Sequence, residues 1–306
     1  MTNVTLKQLR YVDALARHGH FGRAAEASAV TQPALSMQIK ELEASLGARL
    51  FERGARQVRL TGLGEEIAGR ARDILRAVDE LEEVARTRRD GPGGRLRLGV
   101  IPTIAPYLLP RMIRDLAARY PGVDLQVRET QTERLIAELM EGRLDTAVVA
   151  LPVSEPTLEE VALFSEGFVL VRPETEAAAP VPAPEALPDM QLLLLEEGHC
   201  FRDQALAVCG LRAASPRAGL DGSSLSTLVQ MVGAGIGVTL IPEMAVGVET
   251  RGAPVAIQRF EAGRPVRTVG MIWRRSSPLA PDLRELAEVV RQSAEAMYAS
   301  SPSKGG

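Results

Sequence analysis

Cysteine is almost absent from this sequence: there are two in 306 residues, Cys200 and Cys209, nine positions apart. So small a supply excludes a disulfide-framed secreted fold, and it makes any bond between the two a matter of chemistry more than of architecture. Histidine is nearly as scarce, with three residues, and no grouping of His and Cys has metal-ligand spacing. No metal and no cofactor is expected. Aromatic residues make up 4% of the chain, and arginine has almost replaced lysine, which reads as genomic composition as much as function. Long apolar runs are missing too. The most apolar window, Thr227–Val248, is interrupted by Gln230, Pro242 and Glu243, so a membrane span is not expected. The opening MTNVTLKQLR has no apolar core of a secretion signal, which points to a cytoplasmic protein.

What is present is a charge asymmetry. Net charge is −3, yet residues 1–60 hold nine Lys and Arg against five Asp and Glu, leaving +4 on the head and −7 on the rest. A small basic head on an acidic body suggests DNA for the head. Leu6, Leu9, Val12, Leu15 and Ala16 predict a helix over Thr5–Arg17, and Phe21–Ala27 predicts a second. Thr31 caps a third, Gln32–Leu46, with Pro33 in its first turn and Gly47 as its stop. A helix, a short turn and a helix with polar residues at its start can enter a major groove. Gln32, Ser36 and Gln38 are candidates for base edges, with Pro33 beside them; Arg53, Arg56 and Arg59 are candidates for phosphate. Arg56–Leu60 alternates like a short wing strand. From Thr61 to about Arg88, Ile67, Ala71, Ile74, Val78, Leu81 and Ala85 form a heptad seam. It predicts a dimerising coiled coil, with a helix lying on its own domain as the competing reading.

Asp90–Gly94 breaks this helix, and beyond it strands alternate with helices. Strands are expected at Arg95–Val100, Val123–Glu129 and Thr146–Ala150, with helices at Ile104–Arg119 and Glu133–Glu141. That order implies a parallel sheet that binds ligands at its carboxyl ends. Two strands, about Val161–Phe164 and Phe168–Val171, precede an irregular, exposed Pro173–Asp189 loop with five prolines. Strands at Gln191–Leu195, Val238–Ile241 and Thr268–Trp273 follow, with helices at Ser224–Val232 and Pro281–Met297.

The cysteines lie inside this pattern. Phe201–Val208 contains good helix formers and no Gly or Pro. In a helix rising ~1.5 Å per residue, the two cysteine Cα atoms stand roughly 13 Å apart. A disulfide needs them within about 7 Å, so helix and bond exclude each other. Cys200 falls at the helix start, where the dipole, His199 and Arg202 favour a thiolate; Cys209 lies among Leu206, Val208 and Leu211. The residues alone leave two readings open. One is a peroxidatic and a resolving sulfur, and the other is two unrelated cysteines.

The runs FGRAAEASAVTQPALSMQIKELEASLGARLFER and VRLTGLGE resemble the winged helix-turn-helix head of LysR-type transcriptional regulators, although Met37 departs from the basic residue often found at its position. GHCFRDQA followed by Cys209, with IPTIAPYLLP, ETQT, GAGIGVTLIP and RTVGMIW, resembles the hydrogen-peroxide-sensing branch of that family. The resemblance implies an α+β winged helix-turn-helix head at 1–61, a coiled-coil linker helix at 62–89 and a hinge at 90–94. It implies a two-lobed α/β, periplasmic-binding-protein-like regulatory domain at 95–299, with lobe I at about 95–165 plus 268–299 and lobe II at about 166–267. Residues 300–306 are expected to be a disordered tail.

The same resemblance implies a chemistry. Cys200 is peroxidatic and Cys209 resolving; Thr103 and Thr132 hold the peroxide, His199 and Asp203 relay its proton, and Arg267 stabilises charge on the sulfur or departing oxygen. Thr132 and Arg267 come from the resemblance, not from spacing. Implied partners are double-stranded DNA, hydrogen peroxide, RNA polymerase, glutaredoxin or thioredoxin as reductant, and further copies of the chain as a dimer of dimers. The alternative within the fold is a regulator of the same family that binds a small metabolite between the lobes. A thiol peroxidase is disfavoured by the DNA-binding head, so an enzyme is not expected.

Overall fold

The computed structural model describes residues 4–53, 58–90, 94–183, 186–187, 190–208, 221–260 and 265–300. The chain divides into two compact units, Met1–Arg88 and Arg89–Gly306.

In the first unit, α1 (Leu6–His18) starts where Thr5 and Gln8 exchange side-chain and backbone hydrogen bonds at 3.0 and 3.2 Å. His20 caps α2 (Phe21–Ala27) by accepting the Gly22 N–H on Nδ1, and Thr31 caps α3 (Gln32–Leu46). Leu35, Ile39 and Leu42 of α3, spaced four and three apart, pack on Val12 and Leu15 and are fully buried. The opposite face of α3 therefore points to solvent. The wing is a hairpin of β1 (Phe51–Arg53) and β2 (Val58–Leu60), paired antiparallel; β1 carries no alternation and is not legible in the sequence. Arg56 falls outside the described residues. The linker α4 (Gly62–Asp90) splits its seam: Ala71 is buried and Ile67 packs on the head, whereas Ile74 and Leu81 are 47% and 70% exposed. The buried positions 67 and 71 fit the reading of a helix lying on its own domain.

The second unit is built on one nine-stranded sheet, ordered β4-β3-β5-β11-β6-β9-β7-β8 with β10 also on β6. Lobe I contains β3 (Arg95–Val100), α5 (Ala105–Arg119), β4 (Asp124–Glu129), α6 (Thr132–Met140) and β5 (Thr146–Leu151). β3 pairs parallel with both β4 and β5. The next element, β6, is one strand over Leu158–Pro173, not the two that Ser165-Glu166-Gly167 suggested. Pairing overrides the local break, because Ser165, Glu166 and Gly167 sit opposite Thr268, Arg267 and Val266. Beyond that point β6 pairs with lobe II, so a single strand carries the chain from one core to the other.

Lobe II adds β7 (Leu192–Leu195), α7 (Cys200–Val208), β8 (Asp221–Gly222), α8 (Leu225–Gly233), β9 (Val238–Pro242), the short α9 (Val246–Glu249) and β10 (Val255–Arg259). Then β11 (Val266–Arg274) returns to lobe I and α10 (Ala280–Ser300) closes it. Each lobe has its own core. Trp273, Val148, Met271 and Val290 anchor the first; Phe168, Val171, Ile241 and Phe201 anchor the second. The proline-rich stretch after β6 is irregular but tied down, because Arg172 bonds Glu176, Gln258 and the Ala179 and Pro180 carbonyls.

Candidate functional site

In the head, Gln32 and Pro33 are exposed at the start of α3, Ser36 is partly exposed, and Arg59 is exposed on the wing. Gln38 donates to Glu41 Oε2 at 2.7 Å, so its amide is already engaged. Arg53 lies in β1, and its side chain is outside the described residues. Met37 is 55% exposed beside them.

The second candidate site is where the lobes meet around Cys200. Gly198 has a φ of +91°, a left-handed turn that suits glycine, and a Cβ there would come within 2.9 Å of the Gln131 amide. This lets the loop from β7 lie against the start of α6. The next residues begin α7 as expected, with Cys200 in its first turn. Cys200 is half-buried and packs on the lobe I core, while Phe201 and Ala205 of the same helix belong to the lobe II core. The thiol therefore sits on the seam between two cores. Cys209 follows Val208 and lies outside the described residues.

Other expected site residues lie on α6, on α7 and in the turn after β3. Thr132 is the first residue of α6, and its hydroxyl is buried without a protein partner. So is the side-chain oxygen of Gln204, one turn after Cys200 on α7. Buried polar atoms are nearly always bonded, so both atoms are exceptions to the rule. Thr103, in the turn between β3 and α5, is held by Arg267. Arg267 Nη1 donates to its hydroxyl and Nη2 to its carbonyl, both at 2.9 Å. The rest of that guanidinium pairs with Glu166, directly across β6 and β11, at 2.7 Å with both side chains fully buried. Glu166 also accepts from the Met244 N–H and the Tyr298 hydroxyl.

The side-chain partners are these. Arg267 bonds Glu166 and both the hydroxyl and the carbonyl of Thr103. Arg202 turns away from the sulfur, bonding the Leu195 carbonyl at 2.7 Å and Asp221 at 3.0 Å; it ties α7 to β7 and β8. Asp203 is exposed on the helix surface. Burial lowers the pKa of His199 below the ordinary 6.5, against the opposing pull of Glu196.

A depressed histidine value makes stability depend on acidity. Protonation favours the unfolded chain, so this contribution is complete above pH 6.5 and declines as pH falls toward the lowered folded value. The melting temperature is expected to fall less steeply below about pH 6.5 in His199→Asn than in the wild type. Equal slopes for the two proteins sink this assignment.

Glu166, Gln204 and Tyr107 were not singled out from sequence. Tyr107 on α5 donates to Glu249 of α9 at 2.6 Å, and Ser226 of α8 bonds the same carboxylate. Burial and that carboxylate raise the phenol's pKa above its ordinary value, so it stays a donor linking the lobes. Among the described residues, no three His, Cys, Asp or Glu side chains gather to hold a metal. No described helix is long and apolar enough to cross a membrane.

Residues 6–65 match the bacterial regulatory helix-turn-helix protein, lysR family, and residues 89–295 match the LysR substrate binding domain. The chain belongs to the LysR family. Among LysR relatives, a probable hydrogen peroxide-inducible genes activator from Streptomyces viridosporus is 44% identical, over 94% of each chain. A full-length OxyR cysteine variant from Pseudomonas aeruginosa has a similar structure, with a TM-score of 0.74 and 37% identity over 94% of this chain and 95% of that one. A peroxide-bound OxyR cysteine mutant from Corynebacterium glutamicum gives 0.66 and 34%, over 96% of this chain and 94% of that one. The resemblance noted in the sequence is to these proteins.

Proposed function

We propose that this chain is a transcription regulator that binds double-stranded DNA through its winged head and senses hydrogen peroxide through a reversible Cys200–Cys209 disulfide. The observation that carries this reading is the placement of Cys200. It is a thiol in the first turn of a helix, between two cores, with the unpartnered Gln204 oxygen one turn further along the same helix. Relatives named for peroxide induction and a peroxide-bound neighbour support it.

In this reading the Thr103, Thr132 and Gln204 side chains orient the peroxide toward the sulfur. The Cys200 thiolate takes one oxygen, becoming a sulfenic acid, while the other leaves as hydroxide and is protonated to water. The Cys209 thiolate then attacks the Cys200 sulfur, a second hydroxide leaves and takes up a proton, and the disulfide forms. Two thiols are oxidised, one peroxide is reduced, and two waters result. The product cannot contain α7, so the lobe seam repacks and the heads change their grip on DNA. The exposed half of the α4 seam pairs with a second copy, and a dimer of dimers forms on the operator with RNA polymerase as the further partner. Glutaredoxin or thioredoxin resets the thiols in the cytoplasm. The device reacts once per reduction cycle, which distinguishes it from a peroxidase.

Thiol counting tests this. The reduced protein is expected to show two alkylatable cysteines, and after one equivalent of peroxide none, with one cross-linked peptide containing both. Two free thiols in both samples favour a metabolite-binding regulator instead.

A further inference from the structure

Phe201 immediately follows the reactive thiol, yet it faces the other way, 2% exposed in the lobe II core. Its ring meets Phe168 edge to face, with centroids 5.1 Å apart and planes at 82°. Its face lies 5.5 Å from the Arg267 guanidinium carbon, the cation whose donors hold Thr103 and Glu166. One side chain thus joins the first turn of α7 to β6 and to the buried ion pair. For Cys209 to reach Cys200, that first turn must come apart, and Phe201 cannot stay in place while it does.

We propose that Phe201 is a positioning residue for the second chemical step: its docking against Arg267 and Phe168 governs how readily α7 opens, and hence how long the Cys200 sulfenic acid persists before the disulfide closes. Resting on the peroxide-sensor reading, this assigns to the sensor a residue that touches neither sulfur's reaction partner. Closure requires prior opening of a locally stable element, so its rate scales with the open population. Contacts that exist only in the closed helix lower that population, and the ring's contacts with Phe168 and Arg267 are of this kind. Oxygen transfer takes place on the intact helix and is untouched. The same contacts favour the dithiol form at equilibrium.

The test uses the full reduced chain, with Phe201→Leu keeping an apolar side chain of similar size while removing the ring. Phe168→Leu serves as a second variant that removes only the ring–ring contact. Each protein is mixed with peroxide and quenched over time with a dimedone-type sulfenic acid trap and an alkylating agent, and the species are resolved by mass. The first rate, proportional to peroxide, is expected to stay within about twofold of wild type. The second, independent of peroxide, is expected to rise about tenfold in Phe201→Leu and about threefold in Phe168→Leu. In a thiol redox buffer the tenfold change appears as a potential more negative by ~30 mV.

An unchanged second rate in both variants overturns the inference, and so does a loss confined to the first rate, which would put Phe201 behind the peroxide site. If the wild type forms no sulfenic acid or disulfide, the sensor reading itself fails, a result distinct from either.

Discussion

Replacing Arg267 with methionine alone is expected to cost the regulatory unit about 3–5 kcal/mol of stability, whereas replacing Glu166 and Arg267 together by apolar residues of similar size costs far less. The asymmetry follows from burial. Both side chains are fully enclosed, and Arg267 pairs with Glu166 while bonding Thr103 twice. Without the guanidinium, Glu166 keeps the Met244 N–H and the Tyr298 hydroxyl as its donors among the described hydrogen bonds, with no charge to balance a desolvated carboxylate there. Phe201 loses its cation in the same stroke. Chemical denaturation of the reduced full chain reads the loss, and a melting temperature lower by about 10 °C should accompany it. If the single and double replacements cost the same, the pair is not coupled. Reaction with peroxide should slow in both, because Thr103 is left unheld in each.

How much of this could be read beforehand differs sharply between head and site. The head was legible because its signals are local: Thr31, Pro33 and Gly47 bound α3, and Leu35, Ile39 and Leu42 mark its buried face. The alternation of strand and helix through Leu151 was legible for the same reason, since each element declares its own period. The hub at the lobe seam was not. Glu166 sits in a Ser-Glu-Gly run that looks like a turn, and its meaning comes from lying opposite a residue 101 positions later. Arg267 was placed near the site by resemblance, but its pairing with Glu166 was not read, because nothing in its neighbours reveals a buried carboxylate. Gln204 looked like one polar residue on a helix; only the packing leaves its oxygen enclosed and unpartnered. His199 and Arg202 show the opposite failure. Their positions beside Cys200 suggested positive charge there, but burial keeps one neutral and β7 claims the other.

Cys200→Ser is expected to abolish both peroxide consumption and disulfide formation, whereas Cys209→Ser is expected to consume one peroxide and stop at the sulfenic acid. The two residues differ because they are used in different states of the same nine-residue helix. Oxygen transfer uses the helix, whose first turn holds Cys200 on the lobe seam. Disulfide closure needs the helix gone, since a sulfur–sulfur bond draws its two ends within about 7 Å. Hydrogen exchange separates the two demands on one segment. Amides of 202–208 should be protected in the reduced wild type, in Cys200→Ser with peroxide, and in Cys209→Ser even after Cys200 carries oxygen. Protection should vanish only in the oxidised wild type, and return on reduction with a dithiol. Loss of protection in the oxidised Cys209→Ser protein would move the trigger from the disulfide to the sulfenic acid, leaving Cys209 to stabilise a change already made. Persistence of protection in the fully disulfide-bonded wild type would mean that helix and bond do coexist, and that the signal to the DNA-binding head leaves the lobe seam by some route other than α7.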